Sequence, residues 1–203
     1  VRKPTTVEVQ FTPEQKGLYD SLLTFEKRAL GAKHFDRNIP FMMTTIRRQA
    51  ASSLFALAPF ISDLLDRRLS ELEFLSCDLE EDSEMAIVGE LRDAAIHIGN
   101  LATKLPTEDP KFDALYTVVE QKQEQPNNKL IVFSTFRHTL AYLEKKLLEK
   151  EVRVGLVHGG VVDEERQGLR KRFEASAEEA TALDVLLFSE VGCEGLDYQF
   201  CDA

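Results

Sequence analysis

The sequence predicts an α/β fold: an incomplete open parallel sheet in the carboxyl-terminal part, preceded by a mainly helical region. Three observations carry this expectation. From residue 129 onward, short apolar runs rich in β-branched residues alternate with helical patterns, the succession that parallel strands joined by right-handed crossovers produce. Before residue 126, apolar residues recur at helical spacing between capping signals and prolines. The polar turn Gln125-Pro126-Asn127-Asn128 separates the two regimes, which sets domains at 1–125 and 126–203.

Within the first region, Thr5 to Phe11 alternates like a short strand. Thr12 then caps a helix with Pro13 at its first position and Gln15 reaching back, and Leu18, Tyr19, Leu22, Leu23 and Phe25 form the apolar stripe. From Phe41 to Leu75 helical spacing continues, with Pro59 expected to kink or divide the stretch. Glu71 to Asp93 holds nine acidic residues and one basic residue, Arg92, and reads as a solvated insert between helices. Its functional alternative is a site for a basic protein partner. A further helix starts at Asp109-Pro110, presents Phe112, Leu115, Tyr116 and Val119 on one face, and stops near Gln125.

Beyond the boundary the expected order is strand 129–136, helix 138–150, strand 152–157, helix 163–175 and strand 183–188. Ligands of open parallel sheets sit outside the carboxyl ends of the strands. Three strand ends therefore hold the candidate chemistry. Ser134 and Thr135 follow the first strand, where either hydroxyl can satisfy nearby helix amides. His158 and Gly159 follow the second, where a turn can turn backbone amides toward phosphate. Ser189, with Gly195 and Asp197 further on, follows the third. Asp163-Glu164-Glu165-Arg166 has the look of a magnesium-binding box, but it follows a Gly-Gly turn and opens a helix. There Asp163 as cap and acids at the positive dipole end explain it.

Composition narrows the classes. A 203-residue chain with 43% hydrophobic residues can bury a sizeable core. Its net charge of −10, with neither part basic overall, argues against strong nucleic-acid binding by this piece alone. No apolar run approaches the roughly 20 residues of a membrane helix, and no secretory leader is evident, so the expected home is cytoplasmic or nuclear with no membrane partner. Cys77, Cys193 and Cys201 share no CxxC spacing, so neither a zinc site nor a disulfide framework is supported.

Ser189-Glu190-Val191-Gly192-Cys193-Glu194-Gly195-Leu196-Asp197, continued to Gln199, resembles the fifth motif of superfamily-two helicases and translocases, and its wording is most similar to the Swi/Snf-type ATPases. Lys129 to Phe136 with its helix resembles the opening of their second motor lobe, and His158 to Phe173 the next turn and helix. Phe11 to Gln15 and Arg47 to Ser53 resemble, more loosely, the helical lead-in. The resemblance implies a RecA-like lobe 2 and a parent that is an ATP-dependent translocase on double-stranded DNA. Ser134, Thr135, His158, Gly159 and Ser189 would contact nucleic acid, Gly195 and Asp197 would stand beside ATP, and Arg47, Arg48, Arg67 and Arg68 would be either phosphate contacts or paired helix positions.

ATP and Mg2+ would be cofactors of the parent, with none bound by this piece alone. The chain contains no Gly-x-x-x-x-Gly-Lys-Ser/Thr loop and stops before the family's arginine-bearing helix, so it reads as part of a longer motor, inactive by itself, whose N-terminal RecA-like lobe is its partner. An unpaired sheet edge would then favour self-association. Two other functions compete: a non-catalytic interaction module on the same fold, and a small α/β enzyme, for which no acid–base or nucleophile pairing is evident.

Overall fold

The computed structural model describes residues 4–31, 38–64, 82–189 and 201, with side chains described for 4–27, 43–64, 92–189 and 201. Two compact units emerge, Phe11–Thr107 and a second built from Val1–Gln10 with Glu108–Ala203.

The helical unit contains α1 (Pro13–Gly31), α2 (Asn38–Ser52), α3 (residues 57–64) and α4 (Asp82–Thr103). The start of α1 is the expected capping box. The Thr12 amide donates to Gln15 Oε1 at 3.1 Å, and the Gln15 amide donates to Thr12 Oγ1 at 3.3 Å. Leu18, Leu22 and Phe25 of α1, Met43, Ile46 and Ala50 of α2, Leu57 and Ile61 of α3, and Ala95, Ile98 and Ala102 of α4 close one apolar core at helical spacing.

Three local expectations are corrected. Residues 4–10 form no strand, because nothing among the described residues pairs with them and the run is largely exposed. The break in the second helical stretch precedes Pro59. Ser53 Oγ accepts the Ala56 amide at 3.3 Å, and Pro59 lies in the first turn of α3, where a missing N–H removes no intrahelical bond. The acidic stretch is helical from Asp82 onward; its residues 71–81, with Arg67, Arg68 and Cys77, lie outside the described residues. Arg47 pairs with Glu26 of α1 at 3.4 Å.

The second unit runs α5 (Pro110–Gln123), β1 (Leu130–Phe133), α6 (Arg137–Glu149), β2 (Val154–Val157), α7 (Asp163–Glu174) and β3 (Val185–Phe188). The three strands are parallel in the order β1-β3-β2, so β3 is central, and all four of its residues are buried. Such double burial is why its sequence is a continuous apolar run and not an alternating one. Val185 and Leu187 face one core with Leu140, Leu143 and Leu147 of α6 and with Phe112 and Val119 of α5. Leu186 and Phe188 face another with Val157 and with Phe173 of α7. Helix α5, which the sequence places before the polar turn, thus packs with the sheet, and that turn joins α5 to β1 inside one compact unit. No helix among the described residues is long and apolar enough to cross a membrane.

Candidate nucleic-acid interface

The register of the sheet brings three of the sequence-derived residues into one row. Phe133, Phe188 and Val157 stand opposite one another on the three strands. The ladder runs one residue further: the Ser134 amide donates to the Phe188 carbonyl and the Ser189 amide to the Val157 carbonyl, each at 3.0 Å. Ser134, Ser189 and His158 therefore line the carboxyl edge with Ser189 in the middle, at neighbour spacings of about 4.8 Å.

Each member has a defined local chemistry. Ser134 Oγ accepts the Phe136 amide at 3.2 Å, which fixes the turn carrying the exposed Thr135 and sets the entry to α6. Ser189 is buried, at 6% exposure, beneath the edge. His158 heads a tight turn in which its carbonyl accepts the Val161 amide at 3.0 Å and its Nδ1 accepts the Gly160 amide at 3.0 Å. An accepting Nδ1 puts the ring proton of the neutral imidazole on Nε2. A Cβ on Gly160 would come within 3.1 Å of the His158 ring, which would have to give way by a few tenths of an ångström. Gly159 is exposed at the tip. Gly195 and Asp197 lie outside the described residues.

Two helices begin at this edge with opposite character. Helix α7 carries Asp163, Glu164 and Glu165 in its first turn. The expectation that Asp163 caps it is corrected: the cap position is Val162, with no side-chain hydrogen bond, and Asp163 is the first helical residue. Helix α6 has no acid in its first turn and begins with Arg137 and His138. These two residues join His158, Leu140, Ala141 and Leu156 around an open cavity of about 180 Å3. Sequence reasoning missed both. The signal available was a basic pair opening a helix directly after a strand-end hydroxyl. Burial raises the pKa of Glu144, on the next turns of α6, and the charge of His158 opposes that rise. Arg166 Nε, in the first turn of α7, is buried without a hydrogen-bond partner among the described residues.

The amino edge of the sheet is ionic and closed. Lys129 Nζ donates to the Leu183 carbonyl at 2.8 Å and lies 5.7 Å from the Phe173 ring centroid. Burial lowers its pKa, opposed by Asp184. Cys201 Sγ donates to the Lys129 carbonyl at 3.3 Å.

Residues 110–203 match the family model described as the helicase conserved C-terminal domain. No curated protein matches the chain in sequence. Among solved structures, the C-terminal part of the Fun30 ATPase domain is similar at 16% identity and a TM-score of 0.46, covering 92% of this chain and 69% of that one. The Hef helicase domain of Pyrococcus furiosus is similar at 18% identity and a TM-score of 0.54, covering 94% of this chain. This chain spans 46% of the Hef helicase domain, and at that identity the likeness concerns the fold. Residues 110–203 are thus similar to the helicase C-terminal domain, and their parallel three-strand sheet with its flanking helices has the fold of a partial RecA-like lobe.

Proposed function

We propose that this lobe serves an ATP-dependent motor that translocates on double-stranded DNA, of the Swi/Snf type. The observation that carries the reading is the row Ser134, Ser189 and His158 along one carboxyl edge, with Thr135 and Gly159 exposed beside it. Hydroxyls, a histidine and backbone amides at this spacing suit phosphates, whose contacts position a duplex without reading its sequence. The Swi/Snf assignment rests on the wording of Ser189 to Gln199.

In this reading Gly195 lets the backbone approach ATP, and Asp197 accepts hydrogen bonds from the ribose or orients an arginine at the cleft. Cradling the triphosphate of ATP and holding magnesium do not fit the residues of this lobe. The sequence has no phosphate loop, and among the described residues no group of three or more His, Cys, Asp or Glu is placed to hold a metal ion. Both are assigned to the N-terminal RecA-like lobe of the parent. When bound there, ATP supplies the free energy of hydrolysis that opens and closes the two lobes. The residues of this chain hold and release the phosphate backbone as the lobes move, so the useful quantity is their difference in DNA affinity between the two states.

The test is ATP hydrolysis by the full-length protein with and without duplex DNA, alongside Asp197→Ala and Ser189→Ala. Expected are stimulation by duplex DNA, loss of turnover with retained DNA binding in Asp197→Ala, and weaker DNA binding in Ser189→Ala. A full-length protein that neither binds nor hydrolyses ATP overturns the motor reading and favours an interaction module.

A further inference from the structure

The helical unit holds an open groove between α1 and α4, with a volume of about 320 Å3, at the lower end of the roughly 300–1,000 Å3 of ligand sites. Its floor is apolar: Phe25 and Ile98 are buried there and Ala94 is half-buried. Its rim is polar, with Asp20, Ser21 and Thr24 on α1 and His97 on α4. Gly17 lies one turn before Ser21 on the same face of α1, and a Cβ there would meet no atom within 4 Å, so the groove stays open along the helix.

Hydrogen bonding within α1 decides what this rim offers. The Ser21 hydroxyl donates to the Gly17 carbonyl at 2.8 Å and the Thr24 hydroxyl to the Asp20 carbonyl at 2.9 Å. Both protons are turned back into the helix, which leaves each oxygen its lone pairs for a ligand. The Asp20 carboxylate is exposed, can only accept, and has no ion-pair partner among the described residues. Asp93, also exposed, lies one turn before His97 and adds a second carboxylate on the face of α4 that His97 shares. No lysine or arginine lines the groove.

We infer that this groove docks a lysine-bearing segment of a protein partner, with the methylenes lying on Phe25 and Ile98 and the ammonium reaching Asp20 and the two hydroxyl oxygens. A rim of acceptors above an apolar floor selects a ligand that brings donors, positive charge and an aliphatic stem, and lysine combines the three. DNA phosphates are repelled by the same rim. A bare metal ion finds no group of three or more His, Cys, Asp or Glu among the described residues. The acidic stretch Glu71 to Asp93, read from the sequence as an alternative site for a basic protein partner, meets the groove at Asp93. Exposed ion pairs are weak one at a time, so burial of the methylenes supplies the rest of the affinity. The inference goes beyond the proposed function, which concerns the strand ends of the other unit.

The experiment measures binding of a fluorescently labelled oligolysine peptide to the full-length protein by anisotropy, at fixed pH and ionic strength. The Asp20→Asn, Asp93→Asn double variant should bind about tenfold more weakly, the worth of two surface ion pairs. Gly17→Leu fills the groove, removes no charge and places a better helix former in α1, so it should weaken binding several-fold while melting no lower than the wild type. Glu124→Gln with Glu178→Gln removes the same charge from exposed positions of the other unit and should leave the affinity within about twofold. The same peptide with its lysines acetylated, and so uncharged, should not bind.

Equal losses in the two charge-removing double variants make the attraction a matter of net charge and overturn the groove. Affinity unchanged in Gly17→Leu, or kept by the acetylated peptide, does the same. Lysine amide binding as tightly as the peptide would make the occupant a small amine, and self-association of the wild type that Gly17→Leu abolishes would make it a second copy of the chain. Either result overturns docking of a protein partner.

Discussion

Arg153 grips Asp184 with two parallel bonds, Nε to Oδ2 at 2.8 Å and Nη2 to Oδ1 at 2.6 Å. Its remaining nitrogen, Nη1, donates to the carbonyls of Ala177 and Glu179, each at 3.0 Å. One side chain beside β2 thereby fixes the loop between α7 and β3 and the entry to the central strand. The hydrogen bonds it donates to Asp184 raise the pKa of Arg153, so the guanidinium stays charged throughout the ordinary range.

Asp184→Ala should destabilise by about 3 kcal/mol, because it leaves a partly buried guanidinium without its carboxylate. Asp184 is 4% exposed and also accepts Asn128 Nδ2 at 2.6 Å, so its loss frees three donors at once. Urea unfolding checks this. Replacing both members, Arg153→Met with Asp184→Leu, should recover much of the loss, since a well-packed apolar pair of similar volume avoids the desolvation penalty. A double variant as unstable as Asp184→Ala contradicts the account.

Asp109 does two jobs with its two oxygens. Oδ1 accepts the Lys111 and Phe112 amides at 3.1 and 3.2 Å, and Oδ2 accepts the Tyr142 hydroxyl at 2.8 Å, joining the start of α5 to α6. Removing the cap costs about 1 kcal/mol and removing the bridging bond about as much again. Asp109→Ala should therefore destabilise by about 2 kcal/mol and Tyr142→Phe by about 1 kcal/mol. In a double-mutant cycle by thermal or urea melting, Tyr142→Phe should have little further effect once Asp109 is Ala.

Gly155 of β2 is fixed by packing. A Cβ there would meet Leu183 Cδ1 at 2.8 Å and Leu169 Cδ2 and Leu186 Cδ2 at 3.0 Å. Gly155→Val should destabilise by about 1–3 kcal/mol, since overpacking forces all three leucines off their rotamers. Gly155→Ala should lose less, because the ends of leucine side chains can shift. Melting temperatures in the order Gly, Ala, Val are the measurement, and a valine variant as stable as the parent contradicts it.

What the sequence made legible was local or periodic. Thr12 with Gln15, and Asp109 before Pro110, signal their helices because each needs only residues within one turn. The strands were legible as apolar runs, and β1, β2 and β3 fall inside the expected segments; β3, covered on both faces, is apolar throughout for that reason. Thr5 to Phe11 misled because alternation describes a strand only where a partner exists. At the site, strand-end reading located Ser134, His158 and Ser189, but not that the sheet order β1-β3-β2 would put Ser189 between the other two. That follows from chain crossing, which leaves no mark in composition. Arg137 and His138 escaped notice because their significance depends on His158, distant in sequence and close in space.

Glu144 gives a pH-dependent prediction. Burial holds its carboxyl above the ordinary glutamate range in the folded state, with His158 opposing. A raised folded pKa contributes stability that is fully present below the unfolded pKa and is lost as pH rises through the folded value. At neutral pH the wild type therefore carries a desolvated charge that Gln lacks. Glu144→Gln should melt higher than the wild type at pH about 7, with the gap closing near pH about 4, where the unfolded carboxyl is protonated too. A gap that widens on acidification reverses the sign and removes the account.

The link from α6 to β2 ends in an arrangement usually built on glycine. The Val152 amide donates to the Leu147 carbonyl and the Glu151 amide to the Leu148 carbonyl, each at 3.0 Å, which closes a Schellman motif at the helix end. The motif requires a left-handed residue at the position Glu151 occupies, and Glu151 has φ of 59°. A side chain there costs about 1 kcal/mol relative to glycine, because Cβ crowds the backbone carbonyl. Glu151 is exposed. Glu151→Gly should therefore raise stability by about 0.5–1 kcal/mol despite the greater freedom of glycine in the unfolded chain. Glu151→Ala, which keeps the Cβ and removes only the carboxylate, should leave stability near that of the wild type. Chemical denaturation of the three proteins separates backbone strain from charge: if alanine stabilises as much as glycine, the carboxylate and not the left-handed backbone was the source of the penalty.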